Sequence, residues 1–513
     1  MSNKKFLKGA FILASAGLLA KFLGIFFKIP LQKLIHDEGM GLFGLPYPIY
    51  TVLLSVSIIG FPAALSKLIS EKLALGDYRG AKKIFNVSFV MLLVIGIVSS
   101  AIMLLGAKQI IRLLDWPTDS YYSIMGLSLA PLFVSIMSAF RGYFQGLQIM
   151  TPTAISQIIE QIGRVVFGIG LAYLFISKGI GFSAGAASFG ASVGAFLGTL
   201  VLFICYLKYY RQISCINDNN YIKDSTAIIV RRILWLAFPI TIGAVLSSVM
   251  GLIDSVIVLS RLLQSGYSVE GATILYGQLT GKAVTLMNVP LTFSMAMAAS
   301  LVPAISESYS KKRLLELRDK ASAGLKTTII IALPASFGLA ILSNQIVHLL
   351  WGQAEAGGEI LKVLAINVLF IALAQTLTSI LQGINKVFLP VRNLIIGVII
   401  KMIVSNILLI THLNIIGTVI GSIVGYIAIA ILNFMALRKA IGLRLNIKEM
   451  LILPLIATAI MCVTVLTLYN YLSPLFSLKA IATLGSIFAG AIVYFLTLII
   501  TGTIDFKKDR NFI

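Results

Sequence analysis

The feature that most constrains this chain is a succession of apolar stretches, each of bilayer-spanning length, running from one end to the other. They fall at roughly 9–32, 45–68, 84–107, 121–144, 153–177, 183–207, 232–259, 273–302, 322–346, 360–382, 391–410, 414–436, 450–471 and 479–502. The hydrocarbon core of a bilayer is crossed by about 20 mostly apolar residues in a helix. A helix also satisfies its own backbone hydrogen bonds where water is absent. The pattern predicts an all-α, polytopic membrane protein of about 14 transmembrane helices. Composition agrees, with 58% of residues hydrophobic and 12% charged, where soluble chains carry roughly 25% charged residues. The longest loop, around 208–231, is too short for a separate catalytic domain.

The formal net charge of +22 would point to nucleic acid in a soluble protein. In a membrane protein it has another reading, because basic residues gather in cytoplasmic loops and orient the helices. With the N-terminus inside, alternate segments collect Lys4, Lys5 and Lys8; Lys67, Lys72, Arg79, Lys82, Lys83; Arg141; and the dense group Lys311 to Lys326. The opposite side receives only scattered cations such as Lys33, Lys108, Arg112, Lys178 and Lys362. Both termini are therefore expected in the cytoplasm, with no nucleic-acid partner. The apolar run after Lys8 imitates a secretory signal but continues past Lys21 to Pro30, so an uncleaved first helix is expected. Cys205, Cys215 and Cys462 are scattered, and His36, His348 and His412 lie far apart. No metal, cofactor or nucleophilic site is expected, and no enzyme.

An internal repeat organises the chain. Phe61-Pro62-Ala63-Ala64-Leu65-Ser66 after the second span matches Val302-Pro303-Ala304-Ile305-Ser306 after the eighth. Phe144-Gln145-Gly146 ends the fourth span and Leu381-Gln382-Gly383 the tenth. Each pair is six spans apart, as in transporters built from parallel repeats. The expected division is an N-lobe at 1–210, a cytoplasmic linker at 211–231, a C-lobe at 232–440 and two appended helices at 441–513.

Charges at membrane depth single out the candidate site, since each costs about 2.5–3.5 kcal/mol even on lenient insertion scales. They are Lys21, Lys28, Arg164, Lys282 and Lys401, against Glu160 and Asp254. The repeat relates two of them: Arg164 follows Gln145 by the same interval as Lys401 follows Gln382. Helical spacing sets them on polar stripes: Gly17, Lys21, Gly24, Lys28; Thr153, Gln157, Glu160, Arg164; Gly243, Ser247, Gly251, Asp254; Gln278, Lys282, Thr285, Asn288; and Asn393, Gly397, Lys401, Ser405. Five such stripes predict a shared aqueous cavity with surplus positive charge, which attracts phosphates or carboxylates. Structural alternatives stand beside this. Glu160 and Arg164 are placed to pair as i, i+4, and Asp254 to pair with a lysine; both carboxylates are equally candidates for ion coupling; Lys28 and Lys282 are near enough to a surface to snorkel.

Ala20-Lys21-Phe22-Leu23-Gly24, Lys28-Ile29-Pro30-Leu31, Glu38-Gly39-Met40-Gly41-Leu42, Tyr47-Pro48-Ile49-Tyr50 and Gly60-Phe61-Pro62-Ala63-Ala64-Leu65-Ser66-Lys67 closely resemble the stage V sporulation protein B branch of the polysaccharide transporter family. That family sits in the multidrug/oligosaccharidyl-lipid/polysaccharide exporter superfamily and is related to the lipid II flippases. The resemblance implies two facing six-helix lobes in the cytoplasmic membrane, alternating access, and a basic cavity for the pyrophosphate and sugar headgroup. It also implies a lipid-tail groove on the last two helices. By position, Lys21, Lys28 and Lys282 match helices that carry cavity cations in those flippases, while Arg164 and Lys401 rest on burial and repeat alone. The expected partners are a lipid-linked oligosaccharide pyrophosphate, membrane lipids and cell-wall synthesis machinery. The expected activity is flipping of an undecaprenyl-pyrophosphate-linked peptidoglycan precursor, with spore cortex a candidate destination. Export of another lipid-linked polysaccharide and drug/cation antiport are the alternatives.

Overall fold

Thirteen helices among the described residues are long and apolar enough to cross a membrane. They coincide one for one with the second to fourteenth apolar stretches. The structure, a computed structural model, describes residues 3–58, 60–213, 224–352, 356–443, 446–475 and 479–503. Lys223, Cys215, Arg444, Lys507, Lys508 and Arg510 lie outside these residues, as do the side chains of Lys4, Lys5, Lys8, Pro239 and Ser247.

Every regular element is helical: α1 (Asn3–Gly44), α2 (Tyr47–Ile58), α3 (Gly60–Ala74), α4 (Tyr78–Leu113), α5 (Ser120–Leu127), α6 (Ala130–Gly146), α7 (Thr151–Phe175), α8 (Ile180–Ile213), α9 (Thr226–Gln264) and α10 (Val269–Gly277) in the first half. A π-helical turn at Gln278–Ala283 follows, then α11 (Val284–Ser310), α12 (Leu314–Ile341), α13 (Ser343–Trp351), α14 (Gly358–Gly383), α15 (Phe388–Leu408), α16 (Ile415–Ile441), α17 (Leu453–Leu475) and α18 (Lys479–Ile500). The first expected span, 9–32, lies inside the 42-residue α1, which kinks at His36 where the backbone turns to φ 55°. The second span is built from α2 and α3, and the fourth from α5 and α6.

The chain forms two compact units, Met1–Gly277 and Gln278–Ile513. The first thus contains α9, the seventh span, along with the six before it. Small residues set its helix contacts, as expected where lipid removes the hydrophobic drive for association. A Cβ on Gly190 of α8 would come within 2.5 Å of the Gly168 Cα of α7, so the two backbones touch only because both residues lack one. In the second unit the equivalent pair is α15 and α16, where a Cβ on Gly421 would collide with Ser405 Oγ.

At the end of the first unit that holds the expected cytoplasmic loops, a charged group ties three segments together. Asp77 caps α4 by accepting from Gly80 N at 2.6 Å. The Lys72 ammonium reaches Asp77 Oδ2 at 2.9 Å and Asp224 Oδ2 at 2.7 Å, and Lys83 Nζ donates to the Asp224 carbonyl at 2.7 Å. Asp77 is fully buried and Lys72 nearly so. Asp77→Ala removes both a helix cap and one partner of a buried cation. It is expected to destabilise the unit by about 2–3 kcal/mol, read as a lowered unfolding midpoint in detergent. An unchanged midpoint would show that the cluster is solvated and idle.

Candidate functional site

The structure places the sequence-predicted residues in two groups. Lys21, Lys28, Glu160, Arg164 and Asp254 belong to the first unit, and Lys282 and Lys401 to the second.

In the first unit α1 lies along α7, and the stripe pattern explains how. A Cβ on Gly17 would stand 3.8 Å from Gln157 Oε1, and one on Gly24 would stand 3.5 Å from Gln161 Oε1. The small residues of the α1 stripe therefore seat against the polar face of α7. Lys21 and Lys28 share that stripe; Lys21 is exposed and Lys28 half-buried. Lys21 is thus an exposed cation beside a polar seam.

The centre of the group is Glu160, only 9% exposed. One carboxylate oxygen takes a hydrogen bond from Arg141 Nη2 at 2.9 Å, and Arg141 Nε donates to Ser156 Oγ at 3.2 Å. The other carboxylate oxygen lies 3.6 Å from Arg164 Nη2, one helical turn along α7. The i, i+4 pairing expected from sequence is present, but it is the looser of the two. Arg164 Nη1 turns instead toward Tyr47, donating to its hydroxyl at 3.4 Å. Tyr47 stacks on Phe43, with centroids 5.9 Å apart, and meets Tyr50 edge-on at 5.4 Å. Two guanidiniums on one carboxylate leave a net positive charge on the Arg164 side. Among the described residues, Arg164 Nε, Tyr50 OH and the Oε1 atoms of Gln157 and Gln161 have no hydrogen-bond partner. The seam thus offers donors and acceptors in excess of its internal needs.

Arg141 is the site residue that the sequence reading passed over. The loop count assigns it to the cytoplasmic side; in the structure it sits within α6 with its side chain 14% exposed and ion-paired to Glu160. A basic residue close to the end of an apolar stretch reads as a loop residue when charge alone is counted. The signal that identifies it is spacing: Ser138, Arg141 and Gln145 share one face of α6. Asp254 is half-buried on α9, with the buried Tyr276 of α10 in its electrostatic field.

In the second unit the two lysines are more deeply enclosed. Lys282 is fully buried in the π-helical turn, and its Nζ donates to the Ala356 carbonyl at 3.0 Å. Gly357 (φ 111°) covers the aliphatic stems of Lys282 and Gln278. Lys401 is 2% exposed, on the face of α15 formed by Asn393, Gly397 and Ser405. That face packs on α16, where Asn393 Nδ2 donates to Asn433 Oδ1 at 2.9 Å and Gly421 approaches the Lys401 carbonyl. The repeat-related cations therefore occupy equivalent helix pairs, yet Arg164 keeps an aromatic, partly open flank whereas Lys401 is enclosed. Among the described residues no group of three or more His, Cys, Asp and Glu side chains is arranged to hold a metal.

Comparison with known proteins places this geometry. The family model for polysaccharide biosynthesis proteins matches residues 6–309, more than half of the chain, and the MatE model matches 239–407. The chain is 29% identical over 483 residues to the lipid II flippase MurJ of Bacillus subtilis (strain 168), covering 90% of this chain and 88% of that one. It is 25% identical over 511 residues to stage V sporulation protein B of the same organism, covering 99% and 98%. Among solved structures, an inward-facing multidrug resistance MATE family transporter of the MOP superfamily aligns with a TM-score of 0.70 at 15% identity, covering 83% of this chain and 94% of that one. The last likeness is one of fold.

Proposed function

The chain belongs to the polysaccharide biosynthesis protein family of the MOP exporter superfamily, and from that premise we propose that it is a flippase for an undecaprenyl-pyrophosphate-linked peptidoglycan precursor of the lipid II type. As a member of that superfamily it is a multi-pass membrane transporter, not an enzyme. The observation that carries the finer reading is the surplus of positive charge in the first unit. Arg141 and Arg164 share a single carboxylate, with Lys21 and Lys28 on the neighbouring face of α1. Such a group favours a pyrophosphate and disfavours an organic cation, which argues against the antiporter alternative. The excess donors and acceptors around Gln157, Gln161 and Tyr50 suit the hydroxyl and amide groups of a sugar headgroup.

In this reading Lys21 and Arg164 contact the phosphates, one as a point charge and the other through a planar fork. Lys28, Lys282 and Lys401 add to the field, and Asp254 is kept for ion coupling. Both termini face the cytoplasm, residues 1–210 and 232–440 are the two lobes, 211–231 links them, and 441–513 accommodates the lipid tail. Alternating access of the lobes moves the headgroup across the membrane.

The test is complementation. Cells depleted of their lipid II flippase are expected to regain growth and precursor translocation when this protein is expressed. Failure to rescue, with membrane expression verified, would transfer the assignment to another lipid-linked polysaccharide.

A further inference from the structure

Three helices of the first unit, α5, α7 and α8, leave between them an apolar groove of about 410 Å³. Its walls are Tyr122 and Met125 of α5, Leu171 and Phe175 of α7, and Phe182 and Phe189 of α8. Tyr122 stacks on Phe182 with ring centroids 3.9 Å apart. Phe182 and Phe189 remain 41% and 39% exposed, so the groove opens to the surroundings of the helices. An apolar recess of this kind does not retain water. In a bilayer its natural content is hydrocarbon.

Opposite charges mark one end of the groove. Asp119 immediately precedes α5, Lys178 closes the turn after α7, and Gly181 lies in the first turn of α8. The Lys178 ammonium stands 5.0 Å from the centroid of the Phe175 ring, which is itself a wall of the groove. Asp119 packs against Gly181. Both charged side chains are exposed, and no ion pair joins them among the described residues. The acidic flank is reinforced beyond the first span. The Glu38 carboxyl is held above the usual carboxylate range by burial and by the nearby Glu270 and Asp119 charges. The mouth of the groove therefore carries a cation on one flank and concentrated negative charge on the other.

We propose that this groove seats an acyl chain of a zwitterionic aminophospholipid, of the phosphatidylethanolamine type, with its phosphate on Lys178 and its primary ammonium on Asp119. A purely anionic lipid satisfies the lysine alone. A phosphatidylcholine satisfies the charges but has no N–H to donate to the carboxylate. The site is distinct from the transport reading, because neither Lys21, Lys28 nor Arg164 lines it; the two stand or fall separately.

The experiment is native mass spectrometry of the full chain released from nanodiscs containing equal phosphatidylethanolamine, phosphatidylcholine and phosphatidylglycerol. Retained lipid is expected to favour phosphatidylethanolamine by roughly fivefold over each of the others. Asp119→Asn is expected to erase the preference over phosphatidylglycerol. Ala186 of α8 also lines the groove, and Ala186→Trp, which fills it, is expected to remove the retained lipid altogether. Equal retention of the three lipids, a preference for phosphatidylglycerol, or undiminished retention by Ala186→Trp would overturn the proposal. So would a polyprenyl phosphate displacing the phospholipid when added. Asp119 is exposed, so its variant decides the matter even if the tryptophan disturbs folding.

Discussion

Arg141→Ala is expected to cost the folded protein about 3–5 kcal/mol, the penalty typical of leaving a buried charge without its partner. Among the described residues Glu160 would keep only the Arg164 contact at 3.6 Å, in a setting where its own side chain is 12% exposed. Arg164 would be drawn toward the orphaned carboxylate and away from Tyr47, so any transport dependent on its charge would fall as well. The discriminating measurement is a double-mutant cycle with Glu160→Gln. If the pair acts as described, Arg141→Ala combined with Glu160→Gln should be less destabilised than the sum of the single variants by at least about 1 kcal/mol. Simple additivity would mean that the two side chains are near one another without acting on one another.

Lys21→Glu is expected to reduce precursor translocation by at least about 100-fold while leaving the protein folded. A charge-assisted hydrogen bond contributes about 1.5–3 kcal/mol, and each 1.4 kcal/mol is a factor of ten. Charge reversal removes that contact and adds repulsion toward a pyrophosphate. Because Lys21 is exposed, the substitution disturbs little packing, which separates a loss of transport from a loss of structure. The assay is translocation of a labelled precursor in proteoliposomes, alongside size-exclusion behaviour. Retention of near-normal flipping by a well-folded Lys21→Glu protein would remove this lysine from the substrate path. It would leave the complementation result to judge the function on its own.

How much of this was legible beforehand depended on which physical constraint was at work. Helix count and order were readable because bilayer thickness imposes a length on every apolar stretch, whatever its neighbours do. The pairing of Glu160 with Arg164 was readable because it is local, one turn of a single helix. Arg141 was not, since its partner lies on another helix and its position near the end of a span imitates a loop. The contrast between Arg164 and Lys401 was equally hidden. Both occupy the same place in the repeat, but their surroundings are set by how closely a neighbouring helix approaches, and by aromatic residues such as Tyr47 that lie far away in sequence. Lys282 illustrates the same limit: the carbonyl it binds belongs to Ala356, in a turn far along the chain. Sequence spacing identified the charged residues that need a reason to be in the membrane. Tertiary contacts determined which reason each one has.

The membership of α9 in the first unit rests on contacts at both of its ends. This helix is fastened at one end through Asp224, held by Lys72, and farther along by the Trp116 indole donating to the Ser255 carbonyl at 2.9 Å. Two fastenings, one at its start and one toward its far end, therefore tie the seventh span to segments of the first six. Replacing Trp116 by phenylalanine would free the far end of α9 while leaving the Lys72–Asp224 contact at its start in place. A helix held at two separated points resists rotation about its own axis, which a single contact does not.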